Sequence, residues 1–166
     1  MKQDIVKDLG LQALGTRLKR AGERVQAQTQ AWLESQHIRT PASHFPLLMT
    51  LDQSGAMGVG DIAEALGISQ PGVTRQIGVL QAEGLVETRA APHDLRCRTV
   101  ELSKAGRQLI ARARRTMWPG IEAAVADACG PEGPALLRLL SVLEEALAAE
   151  SLGDRATRLQ QPGHTE

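Results

Sequence analysis

The stretch from 61 to 86 (DIAEALGISQPGVTRQIGVLQAEGLV) constrains the fold more than any other part of the chain. Apolar residues recur in it at helical spacing in two sets, Ile62, Ala63 and Leu66, then Val73, Ile77 and Leu80. Between these sets, Gly67 suits the left-handed end of a first helix, and Ser69 suits the N-cap of a second. Two short amphipathic helices joined by so tight a turn form a helix-turn-helix.

The face of the second helix opposite its apolar stripe is small and polar. That face presents Gln70, Pro71, Thr74, Arg75, Gly78 and Ala82. Glutamine, threonine and arginine side chains hydrogen-bond to base edges in the major groove or to phosphates. The low bulk of the other positions lets such a helix lie deep in a groove. An ordinary solvent-exposed face is the alternative interpretation, and these residues alone leave it open.

The basic residues of the chain are unevenly distributed. Overall the chain is electrically neutral, with 19 basic and 19 acidic residues among 166. Between positions 69 and 115, however, nine Lys or Arg residues accompany only four acidic ones. A local basic surface on a neutral protein is the electrostatic feature that attracts a phosphate backbone. The charge distribution therefore favours nucleic acid as a partner.

A predicted β-hairpin follows the second helix directly. Positions 85–89 and 98–102 alternate between apolar and polar residues, and positions 90–96 have the composition of a turn. The basic residues of this hairpin are Arg89, His93, Arg96 and Arg98. Because a two-stranded hairpin is not stable alone, it must pack on the helices. Beside a reading helix, an arginine-bearing loop would reach the adjacent minor groove or its phosphates.

Helical periodicity predicts the N-terminal elements. A narrow heptad seam over about 11–36 suits pairing with another helix, and a plain core helix is the equal alternative. A strongly apolar helix follows, and it begins either at Ser43, which would place Pro46 in its first turn, or at Thr40-Pro41. Positions 57–59 are long enough only for a very short strand before the helix-turn-helix.

The C-terminal third is also predicted to be helical. Ser103 would cap a long helix that Pro119-Gly120 kinks or divides. A last helix, about 135–149, is apolar over more than one stripe, so a second subunit would bury the excess. From 151 to 166 the composition is that of a flexible, frayed tail.

Composition limits the other classes of function. We find no export signal, no long apolar run and only two cysteines, so we expect a cytoplasmic protein that does not enter membranes. The four histidines lack metal-ligand spacing, and the nucleophile elbow and the P-loop are missing. The sequence GVGDIA at 58–63 matches a dinucleotide-binding fingerprint, but no buried strand precedes it, so we interpret it as a loop that opens a helix. We therefore expect no enzymatic activity, no metal and no cofactor. Cys97, between Arg96 and Arg98, is a candidate redox switch, with an incidental small residue as the alternative.

With the hairpin in place, the chain resembles the MarR family of transcription regulators, which are dimeric winged helix-turn-helix proteins. The resemblance covers about 11–147 and rests on three motifs, LGISQP at 66–71, EGLV at 83–86, and the wing Asp94-Leu95-Arg96 with TVELSKAG at 99–106. It implies a mainly α fold with a small β-wing and with N- and C-terminal dimerisation helices. The implied organisation is one domain over 1–150, with the winged helix-turn-helix at about 54–102, dimerisation helices at about 11–36 and 103–149, and a flexible tail at 151–166.

The resemblance also implies roles for individual residues. Arg96 would enter the minor groove at the wing tip, with Asp94 bracing it, and Ser69 would cap the reading helix. Together with the other wing arginines, the expected DNA-binding set is Ser69, Gln70, Pro71, Thr74, Arg75, Arg89, Asp94, Arg96 and Arg98. Gly72 and Gly78 stand where the family usually has larger residues, which leaves the base preference of the helix open.

Family members commonly release DNA when a small aromatic or phenolic molecule binds between the dimer helices and the winged domain. The expected lining of such a pocket is Trp32, His44, Phe45, Met49 and Trp118, and an ordinary core position is the alternative for each. The sequence thus predicts a homodimeric repressor that a small molecule releases from a pseudo-palindromic operator in double-stranded DNA. The alternatives are a winged-helix module that binds protein instead of DNA, and a regulator switched by oxidation of Cys97.

Overall fold

The computed structural model describes residues 4–91 and 94–161, with side chains outside 90–97. Within these residues the fold is mainly α with one small antiparallel sheet, which confirms the predicted fold class. The helices are α1 (Ile5–Asp8), α2 (Leu14–Ser35), α3 (Phe45–Ser54), α4 (Val59–Leu66), α5 (Gln70–Ala82), α6 (Lys104–Thr116), α7 (Trp118–Cys129), α8 (Gly133–Ala149) and α9 (Leu152–Gln160). The strands are β1 (Met57–Gly58), β2 (Val86–Ala91) and β3 (Asp94–Leu102).

The chain divides into two compact units, Met1–Trp118 and Pro119–Glu166. The long helix is divided, as predicted, but the break is at Met117, since α6 ends at Thr116 and α7 begins at Trp118 with Pro119-Gly120 in its first turn. The single domain over 1–150 remains a prediction of the sequence. The first unit contains the hydrophobic core, which is built from α2 to α6 and the sheet.

Local chemistry sets the ends of the helix-turn-helix helices, as predicted. Gly67 ends α4 in the left-handed conformation, with φ of 63°, which costs a residue without a Cβ little. The hydroxyl of Ser69 then caps α5 by accepting a hydrogen bond from the backbone N–H of Gly72 at 3.3 Å. The apolar sides of the two helices meet in the core through Ile62, Ala63, Val73, Ile77 and Leu80.

The wing is a hairpin of β2 and β3, to which β1 adds a short third strand. The strand order is β1-β3-β2, and the register pairs Val86 with Leu102 and Met57 with Val100. Val86, Val100 and Leu102 are buried, so one face of the hairpin base packs on the core. The hairpin therefore obtains from the helices the support that two strands lack by themselves.

The second helix of the helix-turn-helix, α5 (hereafter the recognition helix), meets the wing and α6 at one tightly packed junction. The Ser103 hydroxyl accepts a hydrogen bond from the Gly106 N–H at 3.0 Å, which caps α6, and donates one to the Gly84 carbonyl at 2.6 Å. A Cβ on Gly106 would lie 2.1 Å from the carbonyl oxygen of Leu85. Only glycine permits this approach of α6 to the turn that links α5 to β2.

The start of α3 differs from the predicted Ser43 cap. Residues Ala42–His44 form a 3₁₀ turn, and α3 begins at Phe45 with His44 at the N-cap and no side-chain cap hydrogen bond. Pro46 still lies in the first turn of α3. Ser43 lies within the 3₁₀ turn and does not cap α3. This turn is attached to α2, because the N–H of Ala42 donates to the side chain of Gln30 at 2.7 Å.

The second unit consists of α7, α8 and α9. Most of its leucines remain exposed in the single chain, and as far as the chain is described, this unit contains no fully buried residue. The prediction of a flexible, frayed tail is wrong for Leu152–Gln160, which is helical. The Ser151 hydroxyl caps α9 by accepting from the N–H of Asp154, and Arg158 binds Glu150 at 2.8 Å, which also holds the pKa of Glu150 below its usual value.

Candidate nucleic-acid interface

The outward face of α5 is exposed, as the sequence predicts. Gln70, Pro71, Thr74, Arg75, Gly78 and Ala82 are all exposed, while the opposite stripe of the helix is buried. The Arg75 guanidinium forms no ion pair with any described residue. A groove-sized polar helix with a free cation in its first turns is thus available to a ligand.

Two polar side chains at the start of α5 are partly oriented by the protein itself. The Thr74 hydroxyl donates to the carbonyl of Gln70 at 2.9 Å, so its oxygen is left to accept hydrogen bonds on the outer face. The amide nitrogen of Gln70 lies near α4, 3.4 Å from where a Cβ of Gly60 would be. Both side chains therefore lie at the surface close to the helix N-terminus, where base-edge contacts are made in helix-turn-helix proteins.

Arg89 is held against carboxylates. Glu87 and Glu101 are directly opposite each other in the β2–β3 register, an arrangement of like charges that destabilises a hairpin. The Arg89 guanidinium binds Glu101 at 2.6 Å and Glu87 at 3.3 Å. It therefore compensates the acidic pair, and a DNA phosphate at Arg89 would have to compete with two carboxylates.

Arg98 lies on the other face of the wing from Arg89. Alternate residues of a strand share a face, so Arg98 is on the side of buried Val100. On that side, Thr88 is paired with Val100 and accepts a hydrogen bond from Gln81 of α5 at 2.5 Å. Arg98 is exposed and lies two residue pairs further toward the tip, where it is paired with Ala90. It is thus on the recognition-helix side of the wing, with no described carboxylate bound to it.

The side chains of the other residues predicted to act at the wing tip lie outside the described part of the structure. Asp94 and Arg96 belong to β3 by their backbone, but their side chains are outside the described part, as is that of Cys97. His93 lies outside the described residues altogether. Their predicted roles remain predictions.

Several of the basic residues counted in the sequence are used within the chain. Arg114 binds Asp52 at 2.6 Å, Arg107 donates to the Leu102 carbonyl at 2.6 Å, and Arg112 donates to the Gln36 carbonyl at 3.5 Å. The net basic excess from 69 to 115 therefore overstates the charge that is free to meet phosphate. This correction could not be made from the sequence, since it requires the partners to be known.

A contact at the C-terminal end of α5 was not predicted from the sequence. The Thr40 hydroxyl donates to the Glu83 carboxylate at 3.0 Å, and Thr40 is only 5% exposed. Glu83 is the C-cap residue of α5. No local pattern announces this hydrogen bond, because the two residues are 43 positions apart.

Of the five predicted effector residues, Trp32 is in α2, Phe45 and Met49 are in α3, His44 immediately precedes α3, and Trp118 is the first residue of α7. Phe45 is buried and stacks edge-on against Trp118, with ring centroids 4.9 Å apart, while Trp32 and Met49 also pack on the core. Two polar atoms, Nδ1 of His44 and Nε1 of Trp118, are buried without a hydrogen-bond partner among the described residues. Burial lowers the pKa of His44, an effect that the charge of Glu83 opposes.

A surface groove of about 290 Å³ lies beside these residues. It is lined by Glu23, Gln26, Ala27 and Gln30 of α2 and by Ala42 and Ser43. None of the five predicted effector residues lines it. The set is therefore mostly part of the core in this structure, which is the alternative that the sequence left open.

Neither a metal-binding cluster nor a helix that could span a membrane is found among the described residues. No group of three or more His, Cys, Asp or Glu side chains there is arranged to hold a metal ion. None of the helices in that part of the chain has both the length and the hydropathy needed to cross a bilayer.

The helix-turn-helix and the wing are similar to those of known proteins. The MarR family model matches residues 40–96, which include the helix-turn-helix and most of the wing. The repressor CouR, solved on a 23-mer DNA duplex, has the same fold, with 27% identity over 79% of this chain and 92% of its own and a TM-score of 0.70. Residues 40–96 of this chain are thus similar to the MarR family, and the chain has the fold of a repressor solved on DNA.

Further solved structures agree with this similarity. BpsR of Bordetella bronchiseptica, described with regulation of its DNA binding by 6-hydroxynicotinic acid, is 26% identical over 79% of this chain and 92% of its own, with a TM-score of 0.69. The M. tuberculosis regulator MOSR, solved with DNA, shares the MarR fold at 24% identity over 84% and 98%, with a TM-score of 0.71. No curated protein matches this chain significantly.

Proposed function

We propose that this protein is a homodimeric repressor that binds a pseudo-palindromic operator and is released from it by a small-molecule effector. The observation that supports DNA reading most directly is that Arg75 and Arg98 are exposed and bind no carboxylate among the described residues. Arg75 is exposed on the outer face of α5, and Arg98 is exposed on the wing face that contacts α5. A helix in the major groove and a hairpin in the neighbouring minor groove would use cations in this arrangement.

We assign different roles to the wing residues. Arg98 binds the DNA backbone or the minor groove, and Arg96 enters the minor groove at the tip with Asp94 bracing it. Arg89 supports the wing instead, because Glu87 and Glu101 already bind its guanidinium. On α5, Gln70, Pro71, Thr74 and Arg75 face the major groove, and Ser69 holds the helix start through its cap.

The exposed leucines of α8 support a homodimer. Leu137 is 68% exposed and Leu139 57% exposed in the single chain. A helix that leaves so much apolar surface in water is stabilised when another subunit covers it. A two-fold dimer would hold two recognition helices about 34 Å apart, one turn of DNA, and would therefore require an operator with two-fold symmetry.

The effector is proposed to be a small aromatic or phenolic molecule that binds near Trp32, His44, Phe45, Met49 and Trp118. The unpartnered polar atoms of His44 and Trp118 support this choice, because a buried donor or acceptor without a partner costs free energy that a ligand can recover. A ligand at this place would have to displace the Phe45–Trp118 stacking contact, since both rings pack in the core.

Fluorescence anisotropy with the DNA upstream of its own gene tests the central claim. We expect the affinity to fall steeply with salt concentration, with a logarithmic slope that counts the phosphates neutralised. Arg75→Ala should weaken binding to that DNA by about 5- to 100-fold, as expected for loss of a base contact or a strong phosphate contact. A scrambled duplex is the control. Equal affinity for both duplexes, with no effect of the substitution, would instead support a module that binds protein.

A further inference from the structure

The segment that joins α2 to α3 is hydrogen-bonded to the C-terminal end of the recognition helix. Thr40, in the middle of this segment, is buried, and its hydroxyl donates to Oε2 of Glu83 at 3.0 Å. A hydrogen bond to an ionised carboxylate is stronger than one between neutral groups. It is therefore a specific link between two parts of the chain that are distant in sequence.

Glu83 occupies the position where the recognition helix ends. Its N–H is hydrogen-bonded to the carbonyl of Val79 at 3.0 Å, so it is still attached to the last turn of α5. Gly84, with φ of 69°, then turns the chain toward β2. Whatever fixes the Glu83 side chain therefore fixes both the last turn of the reading helix and the point at which the wing departs.

Thr40 is itself attached to α2 on both sides. The N–H of Ile38 donates to the carbonyl of Leu33 at 3.0 Å, and the N–H of Ala42 donates to the Gln30 side chain at 2.7 Å. The segment cannot move independently of α2 while these bonds are intact. The Thr40 hydroxyl is consequently an anchor, connected to α2, for the C-terminal end of α5.

We propose that Thr40 is a positioning residue for sequence-specific DNA binding, which acts through Glu83 to set the orientation of the recognition helix. This inference rests on the proposed DNA reading by α5. Thr40 touches no DNA in this scheme, and it contributes no charge to the phosphate contacts. Its loss should therefore reduce discrimination between DNA sequences and leave the electrostatic part of binding as it was.

The substitution Thr40→Val tests this, because valine has nearly the shape of threonine and lacks the hydroxyl. Thr40→Ser is the matched control that retains the hydroxyl, and Glu83→Ala removes the other partner. The DNA probe is a duplex that the wild-type protein selects from a randomised library, and a scrambled duplex of equal length measures non-specific binding. Both affinities are measured by anisotropy over a range of salt concentrations with protein shown to be folded by circular dichroism.

We expect Thr40→Val and Glu83→Ala to weaken binding to the selected duplex by about 2- to 30-fold, the range typical of residues that couple distant parts of a protein. Binding to the scrambled duplex and the salt slope should remain unchanged, and Thr40→Ser should behave as the wild type. Hydrogen exchange should become faster at the N–H groups of Glu83, Gly84 and Leu85 in Thr40→Val.

Two results would overturn the inference alone. One is unchanged discrimination in Thr40→Val while the wild type clearly prefers the selected duplex. The other is an equal loss of affinity for both duplexes, which would indicate a merely structural role. A wild-type protein that selects no sequence would be a different result, because it would refute the proposed function itself and this inference with it.

Discussion

Arg89 and Arg98 lie nine positions apart on one hairpin, yet the structure gives them opposite surroundings. Arg89 is bound by two carboxylates on one face of the wing. Arg98 is exposed on the face that contacts the recognition helix. Composition counts the two residues as equal contributions to a basic surface, whereas the strand register separates them. At the scale of single residues, the partner of a charge matters as much as its sign.

We expect Arg98→Ala to weaken DNA binding and to reduce the salt slope by about 1, as removal of one phosphate contact does. Arg89→Ala should leave the salt slope unchanged. Instead it should lower the free energy of unfolding by about 0.2–1 kcal/mol, since Glu87 and Glu101 then face each other without a cation. Anisotropy across salt concentrations and denaturant titrations measure the two effects. A change in salt slope with Arg89→Ala alone would contradict the assignment.

At the scale of elements, the structure depends on how closely α6 approaches the turn after the recognition helix. Ser103 joins the two by bonding both Gly84 and Gly106, and Gly106 leaves no room for a side chain against Leu85. The recognition helix, the wing and α6 are thereby fixed to one another at a single place. Their relative positions, on which any DNA contact depends, rest on this junction and on the Thr40–Glu83 hydrogen bond.

Gly106→Ala should lower the free energy of unfolding by about 1–3 kcal/mol, because the new methyl group would overlap the Leu85 carbonyl and force the backbone to shift. Gly78→Ala is the matched control, because Gly78 is exposed and lies in the middle of α5. No heavy atom lies within 4 Å of a Cβ at Gly78, so this substitution should raise stability by up to about 1 kcal/mol. Denaturant unfolding measures both, and a neutral Gly106→Ala would show that the junction adjusts freely.

At the scale of the whole molecule, the single chain leaves an unusual amount of apolar surface exposed outside its core. Every large residue of the core belongs to the first unit, while α8 exposes Leu136, Leu137, Leu139, Val142 and Leu147. The first helices also expose Leu11, which is 87% accessible. The rest of the described chain does not bury these side chains. They are explained if a second copy buries them, as the proposed homodimer requires.

Sedimentation equilibrium at micromolar concentration should therefore give about twice the chain mass of 17.8 kDa. Leu139→Glu should shift the population toward the single-chain mass, because a carboxylate in an apolar interface is costly to bury. Glu144→Ala, on the same helix at an already polar position, should leave the dimer intact. A wild-type protein that sediments as one chain would remove the basis for a two-fold operator.

Much of the fold followed from the sequence because short-range chemistry determines it. Examples are the left-handed end at Gly67, the caps at Ser69 and Ser103, and the division of the long helix next to Pro119-Gly120. Each of these depends on residues within one or two turns. The start of α3 and the helix α9 were predicted wrongly. In both places the deciding contacts involve side chains, Gln30 with Ala42 and Glu150 with Arg158, that periodicity does not register.

The sequence by itself determined the helix-turn-helix, the polar face of its second helix and the hairpin that follows, since all three are repeating patterns of neighbouring residues. Only the tertiary structure decided which arginines are free, which face of the wing Arg98 shares with α5, and that Thr40 holds Glu83. The Gln81–Thr88 and Thr40–Glu83 hydrogen bonds, for example, join residues 7 and 43 positions apart. They exist only once the chain has folded, so no local pattern could encode them in a readable form.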